Sequence, residues 1–204
     1  MNLKWLQDQT SIVTKRNIPV RKNIKITMED KIQKVKELAT KLHGDQKRKY
    51  TGEDYVNHTF SVADIVKEHG GDDNMVMAAI LHDVLEDTNT SKEELLHLMM
   101  AIVEPNDAMD IVRLVKELTD VYTHEDYPDI NRKGRKEMEA IRMGKISPRA
   151  QTIKYADLLD NSQDILKNDP KFGKVYIGEK ETILKYMNKG DKNLYKKCLS
   201  VLNN

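Results

Sequence analysis

In the stretch "NDAMDIVRLVKELT", residues 106–119, Ala108, Ile111, Val112, Leu114, Val115 and Leu118 fall at the three-to-four-residue spacing of an amphipathic helix. The same period recurs from Thr27 onward, and it limits what the chain can become. Thr27 is an N-cap candidate for a helix with Ile32, Val35, Leu38, Ala39 and Leu42 on its apolar face, and Gly44 stops it. "FSVADIVKEHGG" reads as a second helix closed by Gly70 and Gly71, with His58 just before it, and Asp72 or Asp73 caps the third. Ser91 with Glu94 forms a capping-box signature for a fourth. The acidic, proline-containing "DVYTHEDYPDI" reads as a loop, and a basic helix starts near Asn131. Ser147 at N-cap and Pro148 at N1 open "SPRAQTIKYADLLDNSQDIL", and Gly190 separates two further helices. With no strand-helix alternation and no internal repeat, the expected fold class is all-α, an orthogonal or bundle-like helical array.

A chain of 204 residues that is 39% hydrophobic can bury one sizeable core, so residues 28–204 are read as a single domain. Residues 1–27 differ: Lys4, Lys15, Arg16, Arg21, Lys22 and Lys25 face one acid, Asp8. They are read as a basic N-terminal arm with a short extended segment at Ile18–Val20, a solvated tail rather than an oligomer contact or a phosphate-binding arm. Across the whole chain 34 Lys+Arg nearly cancel 33 Asp+Glu, which gives no argument for nucleic acid or membrane. A single cysteine, Cys198, excludes an intramolecular disulfide and a thiolate metal cage, and points to a reducing, cytoplasmic setting. No apolar run approaches the roughly 18 residues that span a bilayer.

The third helix contains "AAILHDVLEDT", residues 78–88, which is apolar except for His82, Asp83, Glu86 and Asp87. At about 100° per residue these four share one face, with Ile80, Leu81, Val84 and Leu85 opposite. Three carboxylates on a buried face repel one another unless a cation is present. An exposed acidic stripe is the alternative, weakened by Met75, Ala78 and Ala79, which carry apolar character onto the same face. A divalent ion needs further ligands, and His58 in "YVNHTFSVADI" and Asp157 in "IKYADLLDN" are the candidates. Two imidazoles and two carboxylates suit a transition ion such as Mn, Fe or Zn.

The order His58, His82-Asp83, Asp157 resembles the HD-domain phosphohydrolases. "HGDQKRKYTGEDYVNH", "AAILHDVLEDT", "LVKELTD" and "TIKYADLLDN" resemble successive blocks of the hydrolase half of RelA/SpoT alarmone enzymes and their small stand-alone homologues, over roughly residues 29 to 170. The "HDxxED" element is the specific part. The resemblance implies removal of the 3′-pyrophosphate from ppGpp or pppGpp, a guanine nucleotide substrate, with Mn²⁺ or another divalent transition metal held by His58, His82, Asp83 and Asp157. It also implies that Glu86 and Asp87 orient and deprotonate the attacking water, that Asn161 contacts the ribose, and that Arg48 and Lys49 lie by the base and its neighbouring phosphate. Independently of the family, a carboxylate one helical turn from a ligand can accept a proton from an acidified water. The basic residues around 132–149 read mostly as a solvated helix, and Arg48 and, one turn before Asp157, Lys154 are the cations expected to meet substrate phosphates.

Several positions depart from the alarmone-hydrolase pattern: Thr59 and Asp54 stand where proline is usual, the loop from Arg48 to Tyr55 is one residue longer, and Asp160 adds a negative charge beside Asp157. His43 is expected to pack or orient its loop, and His69, His97 and His124 to lie on the surface. Two rivals remain. One is an HD phosphatase acting on NADPH or a nucleoside monophosphate, distinguished by release of orthophosphate rather than pyrophosphate. The other is a non-catalytic alarmone-binding module with a structural metal. Oligomeric state is not specified by the sequence.

Overall fold

The computed structural model describes residues 26–202, which form ten α-helices and no strand beyond an isolated bridge between Lys47 and Asp54. The extended segment expected at Ile18–Val20 lies outside the described residues. The helices are α1 (Met28–His43), α2 (Val56–Glu68), α3 (Asp73–Ile80), α4 (Val84–Asp87), α5 (Lys92–Met100), α6 (Pro105–Leu118), α7 (Arg132–Met143), α8 (Pro148–Asn168), α9 (Pro170–Tyr186) and α10 (Lys192–Leu202). No helix of the described residues is long and apolar enough to cross a membrane.

Local chemistry sets most boundaries. Thr27 accepts from Asp30 N–H while the Asp30 carboxylate accepts from Thr27 N–H, a reciprocal cap, and Gly44 ends α1 at φ 54°, a left-handed conformation that favours glycine. Asp72, Ser91, Asn131 and Ser147 each accept a backbone N–H in the first turn of α3, α5, α7 and α8. The loop expected between α6 and α7 is present.

Helix α3 is the centre of the molecule. Every residue from Met75 to Leu81 is buried, and α3 packs against α1, α2, α6 and α8. α2 and α8 also pack on each other, so α2, α3 and α8 meet where the candidate ligands lie. Behind them α10 covers α8, with Cys198 Sγ 3.2 Å from Tyr155 O and the Tyr155 hydroxyl donating to Met187 O at 2.8 Å.

Two expectations need correction. His58 does not precede a helix; it lies in the first turn of α2, which begins at Val56. The third helix is not continuous through "AAILHDVLEDT" either. Leu81 N–H bonds Ala78 O and Val84 N–H bonds Leu81 O, each three residues back, so residues 81–83 form a tight turn between α3 and α4. The physical reason is at His82, whose Nδ1 lies 2.8 Å from Ala79 O and occupies the carbonyl that an uninterrupted helix would offer to the backbone N–H four residues on.

Gly190 sits against α8 so closely that a Cβ there would lie 2.6 Å from Tyr155 Cε2 and 2.8 Å from Thr152 N. Gly190→Ala should therefore cost about 1–3 kcal/mol through overpacking, read as a lower urea midpoint with unchanged slope; a midpoint equal to wild type would contradict this packing.

Candidate metal centre

Both imidazoles are shut away from water, His58 with 2% of its surface exposed and His82 with 1%, and Asp157 is 5% exposed. His58 Nε2 lies 3.3 Å from Asp157 Oδ1 and 3.7 Å from Asp83 Oδ2; His82 Nε2 lies 2.9 Å from Asp83 Oδ2 and 3.7 Å from Asp157 Oδ1. Each Nδ1 is engaged, that of His58 with Asp160 Oδ2 at 2.6 Å and that of His82 with Ala79 O. Ala79 O can only accept, so His82 carries its proton on Nδ1 and presents a bare lone pair at Nε2. Neither Nε2 has a hydrogen-bond partner, the 2.9 Å approach of His82 to Asp83 included.

Donor atoms bound to one ion at about 2.0–2.2 Å stand roughly 3–4 Å apart, and the four imidazole-to-carboxylate distances, 2.9–3.7 Å, are close to that spacing. The residues present therefore fit a divalent cation. His58, His82 and Asp83 offer donor atoms within 4.8 Å of one another, and Asp157 Oδ1, on α8, approaches the two Nε2 atoms without joining that mutually close group. With protons alone, burial opposes the charged form of both histidines, but Asp83 and Asp157 outweigh it at His82, and Asp157 and Asp160 do so at His58, so both rise above the usual range. A cation competes with those protons for the same lone pairs.

The carboxylates have further partners, two of them on the oxygens that face the imidazoles. The Tyr55 hydroxyl donates to Asp83 Oδ2 at 2.6 Å, Asn161 Nδ2 donates to Asp157 Oδ1 at 2.6 Å, and Lys154 Nζ lies 2.8 Å from Asp157 Oδ2. Burial lowers the Lys154 pKa, but Asp157, Asp120, Glu86 and Asp83 raise it well above its ordinary value. Lys154 is thus committed to Asp157 as a buried ion pair rather than standing free for a substrate phosphate.

Glu86 and Asp87 follow on α4. Glu86 accepts from Asp120 N–H, Asp87 accepts from Gln46 Nε2 at 3.1 Å, and both line a cavity of 530 Å³ with Asp120, His124, Arg132 and Lys136. The Glu86 side chain opens to solvent through this cavity, yet crowding by protein pushes its carboxyl up to about 7, with Asp120 and Asp83 adding and Lys154 opposing. On the other flank, Arg48, Lys49, Tyr50, Asn161, Asp164 and Phe172 line a cavity of 230 Å³. Arg48, however, is already paired, to Asp160 at 2.7 Å and to Asp164 at 3.2 Å, and it donates to Asn161 Oδ1.

His43 orients its loop as expected, with Nδ1 2.8 Å from Gln46 Oε1 and its ring against Tyr55. His97 is exposed, whereas His69 is half-buried against Ile65 O and Lys197, and exposed His124 lines the cavity beside Glu86. On the basic helix α7, Arg132 pairs with Glu179, Lys136 with Asp120 and Arg142 with Glu139, and at the start of α8 Arg149 pairs with Asp72 and Asp110. Sequence reasoning missed Tyr55, Asp120 and Asp164. Asp120 ends the block "LVKELTD", and its place in that block was the available signal; its contact with Glu86 spans 34 residues and is visible only in the fold.

The HD domain family profile matches residues 36–177, from α1 into α9. The chain belongs to the HD-domain family. It is 37% identical over 131 residues to the guanosine-3′,5′-bis(diphosphate) 3′-pyrophosphohydrolase MESH1 of Drosophila melanogaster, a match spanning 63% of this chain and 65% of the fly protein, just under two thirds of its length. It is 33% identical over 138 residues to the MESH1 protein of Homo sapiens, covering 66% of this chain and 69% of the human one. It also resembles the solved structure of a metazoan orthologue of SpoT that hydrolyses ppGpp and plays a role in starvation responses, with a TM-score of 0.71 and 29% identity over 85% of this chain and 94% of that one.

Two outcomes follow for an HD-domain site of this kind. Mn²⁺ at about 100 times its dissociation constant should raise the stability of the folded chain by about 2.7 kcal/mol, read as a higher melting temperature, and the shift should vanish in Asp83→Ala. The same shift should shrink as pH falls, because the raised imidazole pKa values let protons compete at higher pH than for free histidine. An Asp83→Ala protein that responds to Mn²⁺ like wild type would contradict the ligand set.

Proposed function

We propose that the chain removes the 3′-pyrophosphate of guanosine tetraphosphate or pentaphosphate, giving GDP or GTP and pyrophosphate. The observation that carries this reading is the pair of buried, unpartnered Nε2 atoms converging with Asp83 and Asp157, flanked by Glu86 and Asp87. The similarity to pyrophosphohydrolases of that substrate supports the choice of nucleotide. Manganese is the proposed metal, since a mixed imidazole-carboxylate set suits a borderline transition ion.

His58, His82, Asp83 and Asp157 are the proposed ligands. A cation held by them would supply charge to acidify a water and to offset negative charge on the attacked phosphorus. Glu86 is the proposed proton acceptor. Asp120 N–H fixes one of its oxygens, and the open side of the 530 Å³ cavity lets water reach the other. Asp87, tied to Gln46, orients the same water from the adjoining position on α4. Asn161 is proposed to meet the ribose while bracing Asp157. The base is assigned to the 230 Å³ cavity, where Lys49 Nζ stands 4.8 Å from the centre of the Tyr50 ring and Arg48 forms one wall. Lys154 acts on the substrate only through Asp157.

A base must be unprotonated to accept a proton, and the Glu86 carboxyl is raised, so activity should fall as pH drops through and below about 7. Glu86→Gln should retain Mn²⁺ but lose about 10²–10⁴ in kcat, together with that acidic limb, in assays that separate GDP, pyrophosphate and orthophosphate by anion exchange. Pyrophosphate as the product from ppGpp supports the proposal. Orthophosphate released instead from NADPH or a nucleoside monophosphate would replace it with the phosphatase reading, and bound Mn²⁺ without turnover of any of these would leave a binding module.

A further inference from the structure

We propose that Asp160 is a positioning residue that sets the tautomer and aim of His58 as a metal ligand, a step that rests on the metal-dependent reading above. Asp160 lies one turn beyond Asp157 on α8, but its carboxylate does not simply add charge beside Asp157. Oδ2 takes His58 Nδ1 at 2.6 Å and Arg48 Nη1 at 2.7 Å, and Oδ1 takes the Ser61 hydroxyl. A carboxylate paired with a guanidinium and receiving a hydroxyl donor is ionised and can only accept. The proton between it and His58 therefore sits on Nδ1, which leaves the lone pair on Nε2, the atom that faces Asp157 and Asp83 and has no hydrogen-bond partner.

The two imidazoles are consequently held differently. His82 is oriented by a neutral carbonyl, Ala79 O, on the helix that leads into it. His58 is oriented by a charged group brought from another helix, 102 residues away in sequence. A carboxylate behind a ligating imidazole fixes ring orientation and raises its basicity. Asp160 is itself held by a closed ring of contacts: Arg48 bonds Asp160, Asp164 and Asn161, and Asn161 bonds Asp157, which faces His58 Nε2. Moving Asp160 would thus disturb His58 while leaving all four proposed ligands in the chain.

The test is the Mn²⁺ dissociation constant of full-length wild type, Asp160→Ala and Asp160→Asn, measured from the electron paramagnetic resonance signal of free Mn²⁺. Asp160→Ala should bind about 10–100-fold more weakly. Asp160→Asn, whose side-chain oxygen still accepts from Nδ1, should recover most of that loss. Asp160→Leu fills similar volume without an acceptor and should show the alanine loss, which keeps the comparison open if the alanine variant does not fold. Ser61→Ala, which leaves the Asp160–His58 contact in place, should stay within a few-fold of wild type. Wild-type affinity in Asp160→Ala or Asp160→Leu would overturn the proposal and leave the metal site standing, as would asparagine binding as weakly as alanine. Absence of Mn²⁺ binding by the wild type would overturn both.

Discussion

Two buried imidazole nitrogens that face two carboxylates without a hydrogen bond are the constraint from which the rest of this structure follows. An unpaired polar atom in the interior costs free energy, and buried like charges cost more. Asp83 and Asp157 cannot both remain ionised there without cations. Lys154 supplies one positive charge, on the far oxygen of Asp157. The remaining charge demand lies at Asp83 Oδ2 and Asp157 Oδ1, the two oxygens nearest the bare Nε2 atoms. A divalent ion held there would meet that demand in place of the protons that otherwise raise both imidazoles.

The helices explain why such an arrangement can be held rigid. α3 is buried from Met75 to its end, so the turn at residues 81–83 is fixed by the core beneath it rather than by a flexible loop. α2 and α8, which pack on α3 and on each other, bring His58 and Asp157 to that turn. Along α8, Asp157, Asp160, Asn161 and Asp164 recur at helical spacing and form a polar stripe, while Ile153, Ala156 and Leu158 stay in the core. α9 adds Phe172 to the 230 Å³ cavity and Lys180 near the opposite flank, where burial together with Lys154 and Lys136 brings the Lys180 ammonium down to about 8.

Local signals in the sequence were reliable because local interactions made them. The Thr27, Asp72, Asn131 and Ser147 caps and the Gly44 stop each depend on atoms within a few residues. His82 and Asp83 stood out in sequence because the run from residue 78 to 85 is otherwise apolar, whereas His58 and Asp157 lie among other polar residues on α2 and α8 and were singled out by the order His, His-Asp, Asp. The break in the third helix was not legible: the run has helical periodicity throughout, and a side chain-to-carbonyl bond at Ala79 interrupts it. The partners of Arg48 were also hidden, since Asp160 and Asp164 lie 112 and 116 residues away and no pattern in either segment announces the pairing. From sequence Arg48 read as a free cation and Asp160 as surplus charge. Together they neutralise each other and brace a proposed ligand.

The claim at the centre of this account is that one cation takes the Nε2 lone pairs of both His58 and His82. Electron spin echo envelope modulation of the Mn²⁺-loaded protein tests it most directly, because imidazole nitrogen bound to Mn²⁺ modulates the echo. The account predicts coupling to two imidazole nitrogens in wild type and to one in His58→Ala. Mn²⁺ bound with no nitrogen coupling would contradict it.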